Sequence, residues 1–365
     1  MRASRHTGRA ILAVFPLLFL VAVACVAVSA VASTGSTTLR QAGELRHVTI
    51  GAAAASRYLS EPEYAAILGS EFSQLQAENE MKFGLIHPRP DTDPNPYDFC
   101  RRGRARCLRA TSQPAAPRPC SRLAQAGVGV GEARQLPANT AHRHPRKSHS
   151  FGAHHYAGTV CAWDVVNEAF NSDGTMRHTI WYDRPGISGS AGAGTSYIEQ
   201  ALKWARQADP NAKSFYNDYD AEEINQKSDA IYAMAADFKK RGVPLDGIGF
   251  QTHISLKFDD PAKLESFARN LERFAKLDYQ LAITELDIRL SDSTPESLAA
   301  QAKLYREITQ LCVQQSACKL IQTWGVSDQH SWIPQFYEGQ GWALLWDAND
   351  QRKPAYFAVG DAPAK

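Results

Sequence analysis

At 365 residues, 44% of them hydrophobic, the chain is long and apolar enough to bury a substantial core, which excludes disorder as its overall state. A formal charge of +2 and ordinary counts of glycine (24) and proline (19) exclude a globally basic nucleic-acid or membrane binder and a collagenous or low-complexity chain. The charge is uneven, however: Cys100–Gly152 carries ten arginines and one lysine against a single acid, Glu132, a net of +10 that leaves −8 on the rest.

The first thirty-two residues read as an export signal. Arg2, Arg5 and Arg9 precede the apolar run Ile11–Val28, and Ala30-Val31-Ala32 offers the small residues of a cleavage site, with a mature start at Ser33. A retained membrane anchor and a lipoprotein site at Cys25 are the weaker alternatives. Residues 33–365 are then expected to form a single exported domain, monomeric and without membrane attachment.

In chain order the sequence predicts strands at Val48-Thr-Ile-Gly-Ala52 and Leu75–Met81, then at Val160–Val166, Ser214–Tyr219, Gly247–Thr252, Leu281–Ile288 and Leu320–Val326. Amphipathic helices alternate with them: one opening on the capping-box pattern Ser196-Tyr-Ile-Glu199, then Ala230–Arg241, Pro261–Leu277 and Pro295–Cys312. Strand–helix alternation means a parallel sheet. Seven strands are one short of a closed (β/α)8 TIM barrel, an α/β fold, and the third must fall in Cys100–Gly152. An open doubly wound sheet is the rival, but no glycine-rich phosphate loop follows the first strand.

Of seven cysteines, Cys25 lies in the signal and Cys100, Cys107 and Cys120 in the basic stretch, which leaves Cys161, Cys312 and Cys318. Cys312 and Cys318 close a short loop, where an oxidising compartment favours a disulfide. No metal site is expected, since no His or Cys pair stands beside them at zinc spacing.

Two predicted strands carry a glutamate near their C-terminal ends: Trp163-Asp-Val-Val-Asn-Glu168 and Ile283-Thr-Glu-Leu-Asp287. They stand 117 residues apart, three βα units, so they belong to strands four and seven. All C-terminal ends of a parallel barrel converge on one face, where two carboxylates can flank a glycosidic bond. Either glutamate alone would more often be an ion-pair partner; two at matching strand ends reverse that. Asn167 precedes Glu168. Gln251 and His253 end strand six, where His253 reaches Glu285 and Asp287 can orient the histidine. Trp324, Trp332 and Trp342 offer flat apolar rings for sugar faces, and Glu78, Asn79 and Lys82 offer acceptors and a donor at the end of strand two.

Taken together, Glu78-Asn-Glu-Met-Lys82, Trp163–Glu168, Tyr216-Asn-Asp-Tyr219, Gly247–His253, Ile283–Ile288, Trp324-Gly-Val-Ser-Asp328 and Lys353-Pro-Ala-Tyr356 resemble the family ten glycoside hydrolases, the endo-β-1,4-xylanases. The matches run in order from about Gln41 to Phe357. The resemblance implies a retaining mechanism with Glu168 as acid/base and Glu285 as nucleophile, xylan as substrate and no cofactor. It places Glu78, Asn79 and Lys82 two sugars from the scissile bond, and Asn167, Gln251, His253, Trp324 and Trp332 beside it. It also implies a Cys312–Cys318 disulfide. A β-1,4-glucanase of similar barrel and a non-catalytic xylan-binding barrel are the alternatives.

The family's third strand reads Gly-His-(Ala/Thr)-Leu-Val-Trp-His, and nothing in this chain does. Codons compatible with Arg118–Gln125, read one base on, spell Gly-His-Ala-Leu-Val-Trp-His. The segment 100–154 is therefore expected to be out of frame, atypical and without order, its arginines a by-product of GC-rich codons. A barrel lacking strand three would leave strands two and four with unpaired ladder groups, so poor folding and little activity are expected.

Overall fold

The computed structural model describes residues 37–86, 128–129, 157–183 and 194–363. The expected signal, 1–32, and all of 100–154 except 128–129 lie outside the described residues.

Among the described residues nine strands form one sheet system: β1 (Thr49–Ala54), β2 (Gln74–Ala77), β3 (Val128–Gly129), β4 (Ala162–Asn167), β5 (Lys213–Asp218), β6 (Gly247–Phe250), β7 (His253–Ser255), β8 (Gln280–Arg289) and β9 (Cys318–Thr323). The order β2-β1-β9-β8-β6-β5-β4-β3 is parallel throughout, with β7 set apart against the far end of β8. This is the strand order of a (β/α)8 TIM barrel. β1 closes onto β9, with Ile50 opposite Ile321. Of the third strand the described residues are Val128, which pairs with Val166, and Gly129, which pairs with Asn167. Among the described residues no ladder joins β2 to β3.

Most strands are buried on both faces, as strands sandwiched between a barrel interior and a helical shell must be, and so show no alternation of buried and exposed residues. The helices bury one stripe each. Pro261–Lys276 starts on an Asp260 cap and a first-turn proline, then buries Phe267, Leu271 and Phe274 at helical spacing. Pro295–Gln314 uses Thr294 in the same way. Gln226–Arg241 begins four residues before the predicted start, because Asn225 and Ser228 form a reciprocal capping box, and ends on left-handed Gly242. The capping box expected at Ser196 is corrected: Ser196 is the first helical residue, Thr195 precedes it without a side-chain cap bond, and the Ser196 hydroxyl is buried and unbonded. Burial of Tyr197 and Ile198 pulls that turn into the shell.

Cys312, in the last turn of its helix, is bonded to Cys318 at the start of β9. The barrel interior is partly polar. Gln322 donates to the Thr284 carbonyl (2.8 Å) and to Gln76, and Gln74 donates to Gln322 (3.0 Å). Gln76 reaches Asp164 at 3.4 Å, at the edge of a cavity lined also by Ala162, Phe215, Ala282 and Leu320. Burial, and then repulsion from Glu285, push the Asp164 carboxyl up to about 8.

Candidate active site

Apart from Glu285 and Asp287, the polar residues singled out from the sequence lie at or beyond the C-terminal ends of strands. Glu285 lies within β8, beyond the last β6–β8 pair at Phe250 and Ile283, where the β8–β9 register also shifts. It is buried, 4% exposed, and both its oxygens are bonded. Asn217 Nδ2, from β5, donates to Oε1 at 2.7 Å, and His253 Nε2 lies 3.2 Å from Oε2. His253 is not the end of strand six but opens the separate strand β7, which pairs it directly with Asp287. Its Nδ1 lies 2.8 Å from Asp287 Oδ2, which also accepts from Trp332 Nε1 at 2.8 Å. Burial opposes a charged ring, but Asp287 and Glu285 outweigh it and raise the His253 pKa well above its ordinary value.

Glu168 follows β4 directly, in left-handed backbone with φ 58°. Its side chain is 23% exposed. Oε1 accepts from Gln251 Nε2 at 3.0 Å and Asn167 Nδ2 at 3.2 Å, and Oε2 meets Arg177 at 3.1 Å.

Amide groups join the two carboxylates. Asn167 Oδ1 accepts from both Gln251 (3.0 Å) and Asn217 (3.0 Å), so the path Glu168–Gln251–Asn167–Asn217–Glu285 is hydrogen-bonded throughout. Thr284 fixes Asn217 by donating to its oxygen at 2.6 Å. Gly249 makes room for that amide, since a Cβ there would strike Asn217 Oδ1.

The remaining residues close the other side. The Lys82 ammonium lies 5.8 Å from the Trp324 ring, and Trp324 and Trp332 stand edge-on to His253 at 6.2 and 4.9 Å. Glu78 follows β2, accepts from Asn79 Nδ2 (3.1 Å) and has Arg57 at 3.9 Å. Burial raises the Glu78 pKa against the pull of Arg57. β2, β4, β5, β6, β7 and β8 thus deliver polar groups to the same end of the barrel. Trp342 is the exception among the aromatics: the residue is 39% exposed, and its carbonyl accepts from Gln301 and Lys353.

Sequence reasoning missed five participants. Asn217 sits inside the Tyr216–Tyr219 motif, a signal that was available. Arg177 is brought back by the turn after Phe170, which bridges Met176, and its N–H donates to Ala169. Asp164 is hidden in an apolar strand. Lys227 and Asp218 form a buried ion pair at 2.7 Å behind β5. Among the described residues no group of three or more His, Cys, Asp or Glu is placed to hold a metal, and no helix is long and apolar enough to cross a membrane.

The family model for glycosyl hydrolase family 10 matches residues 148–362. Endo-1,4-beta-xylanase B of Thermotoga neapolitana is 37% identical over 364 residues, covering 94% of this chain and 96% of that protein. Endo-1,4-beta-xylanase A of Phanerodontia chrysosporium is 42% identical over 206 residues, 56% of this chain and 48% of that protein. Among solved structures, xylanase 10B of Thermotoga maritima superposes with a TM-score of 0.76 at 36% identity, covering 89% of this chain and 97% of that one. Xylanase 10B of Thermotoga petrophila RKU-1, solved with xylobiose, gives the same TM-score, identity and share of this chain, with 96% of its own length covered. Two carboxylates on one amide network at the mouth of a barrel, and this coverage, lead to one conclusion: the chain belongs to glycosyl hydrolase family 10.

Proposed function

We propose that this chain is a secreted, retaining endo-β-1,4-xylanase. One observation carries the reading: Glu168 and Glu285 share a hydrogen-bonded amide network, with Glu285 held on its far side by the His253–Asp287 pair. Glu168 delivers a proton to the glycosidic oxygen as its bond to the anomeric carbon breaks, while a Glu285 oxygen attacks that carbon and forms a glycosyl ester. Water, losing its proton to Glu168, then cleaves the ester. Two inversions leave the configuration unchanged, which calls for carboxylates about 5–5.5 Å apart. Glu78, Asn79 and Lys82 bind the sugar two places toward the non-reducing end. Asn167, Gln251, Trp324 and Trp332 line the neighbouring positions, and no metal or cofactor takes part. The xylanase names of the relatives, and the xylobiose bound in one structural neighbour, support this substrate class over a glucan.

Proton NMR of the first product decides the stereochemistry: β-anomer first is expected, and α-anomer first would overturn the retaining mechanism. Faster cleavage of carboxymethyl-cellulose than of xylan would overturn the substrate. N-terminal sequencing of exported protein should begin at Ser33. We further propose that 100–154 is an out-of-frame stretch that lowers stability and activity. A version restored to Gly-His-Ala-Leu-Val-Trp-His should melt higher and hydrolyse xylan faster, and equal behaviour of the two chains would sink that idea.

A further inference from the structure

Glu168 has left-handed backbone, φ 58°, which a non-glycine residue keeps only when its surroundings hold it there. Two backbone bonds do so. The Glu168 N–H donates to the Asn217 carbonyl at 2.9 Å, and the next N–H, that of Ala169, donates to the Tyr216 phenol oxygen at 3.0 Å. The second bond is unusual, because a side chain and not a ladder carbonyl receives the N–H.

The phenol is itself fixed. It donates to Asp218 Oδ2 at 2.5 Å. Asp218 Oδ1 accepts from the Tyr219 N–H at 3.0 Å and pairs with Lys227 Nζ at 2.7 Å. That ammonium lies 3.4 Å from the centre of the Tyr219 ring. Tyr216, Asp218 and Lys227 are all fully buried. An ion pair in such a place is seldom retained for stability alone, since apolar side chains of like volume often serve as well. Its reach toward the reacting group is electrostatic as well as steric: burial, and more weakly the charge of Glu168, raise the Asp218 pKa to about 6 against the opposing pull of Lys227 and Tyr216.

We propose that Lys227, Asp218 and Tyr216 are positioning residues that aim the Glu168 carboxyl at the leaving-group oxygen. None touches substrate. Lys227 keeps Asp218 ionised, Asp218 orients the phenol, and the phenol oxygen holds the Ala169 N–H, which locks the turn carrying Glu168. The inference rests on Glu168 being the proton donor.

A merely structural role would lower activity on all substrates alike, whereas misaiming a proton donor harms only those whose leaving group needs a proton. The test therefore compares kcat/KM for phenyl and 2,4-dinitrophenyl β-xylobioside in Tyr216→Phe and Asp218→Asn, with Glu168→Ala alongside. Dinitrophenolate departs without a proton, so its rate should change less than about threefold, while phenyl xylobioside should lose about 10- to 100-fold. Each variant is read separately, so a folding failure in one leaves the other decisive. Equal losses on both substrates, or no loss on either, in a folded variant would overturn the positioning role. A selective loss in Glu168→Ala without one in the other two rejects this inference alone. Equal losses in Glu168→Ala reject the proton-donor assignment, and this inference falls with it.

Discussion

Glu285 and Glu168 sit on the same face of the same barrel, yet their surroundings differ in kind. Glu285 is 4% exposed, and its two oxygens are taken by a neutral amide and an imidazole that Asp287 orients. Glu168 is nearly a quarter exposed, on left-handed backbone, against two amides and the Arg177 guanidinium. The difference suits the proposed roles: a group that forms a bond to carbon gains from being fixed in advance. One that must pass a proton out and take it back from water gains from an open side. The strand positions impose the difference: Glu285 is inside a ten-residue strand, Glu168 one residue past the end of its own.

Substitutions can break this contrast in graded ways. The largest effect is expected from Glu285→Gln, which keeps the shape and, in the proposed mechanism, removes the attacking oxygen; kcat on xylan should fall by about 10⁴-fold or more. Azide should not restore it, because the pocket is closed. Glu168→Ala should cost about 10³-fold on xylan. Here azide should enter the vacated, exposed side and restore turnover of dinitrophenyl xylobioside, giving the β-configured glycosyl azide by NMR. Rescue of the Glu285→Gln variant instead, or of neither, would reverse or remove the assignment of roles.

Smaller effects follow for the supporting groups. His253→Asn should lower kcat/KM by about 10- to 100-fold and leave two buried carboxylates facing each other, a cost of about 3–5 kcal/mol. The raised His253 pKa means its stabilisation is complete below the unfolded value near 6.5 and fades as pH rises through the folded one. The melting deficit of the variant should therefore be greatest at acid to neutral pH and shrink toward alkaline pH. Asp164→Asn should act with the opposite sign. Its carboxyl is protonated up to about pH 8 when folded but only to about 4 when unfolded, so stability drains away across that window at about 1.4 kcal/mol per pH unit. By calorimetry the variant should melt with the parent at pH 4 and several degrees above it at pH 8. A parallel pair of curves would mean that Asp164 is ionised in the folded barrel.

Much of the architecture is legible because a barrel strand buried on both faces reads as an apolar run, and such runs alternate with capped helices from Val160 onward. The spacing Glu285–Asp287 is legible too, since period two puts both on one face of a strand. Arg177 is not, because only the turn after Phe170 carries it back to Glu168. Asn217 can be seen in its motif, but its bridging depends on the gap that Gly249 leaves on the adjoining strand. The separate strand β7 reads as the end of its predecessor because just two residues, Gln251 and Thr252, divide them; Thr252 at φ 64° turns the chain. Ser196 misleads because a capping pattern fixes only a tendency, which packing of Tyr197 and Ile198 overrides.

The Cys312–Cys318 bond clips the tail of one helix to the first residue of β9, at the end of the strand remote from Trp324. Closing so short a loop is worth about 2 kcal/mol, and it touches none of the groups proposed to handle sugar. Host choice for manufacture follows from that: protein made in a thiol-rich cytoplasm should lose heat tolerance and shelf life while its intrinsic turnover at room temperature stays the same.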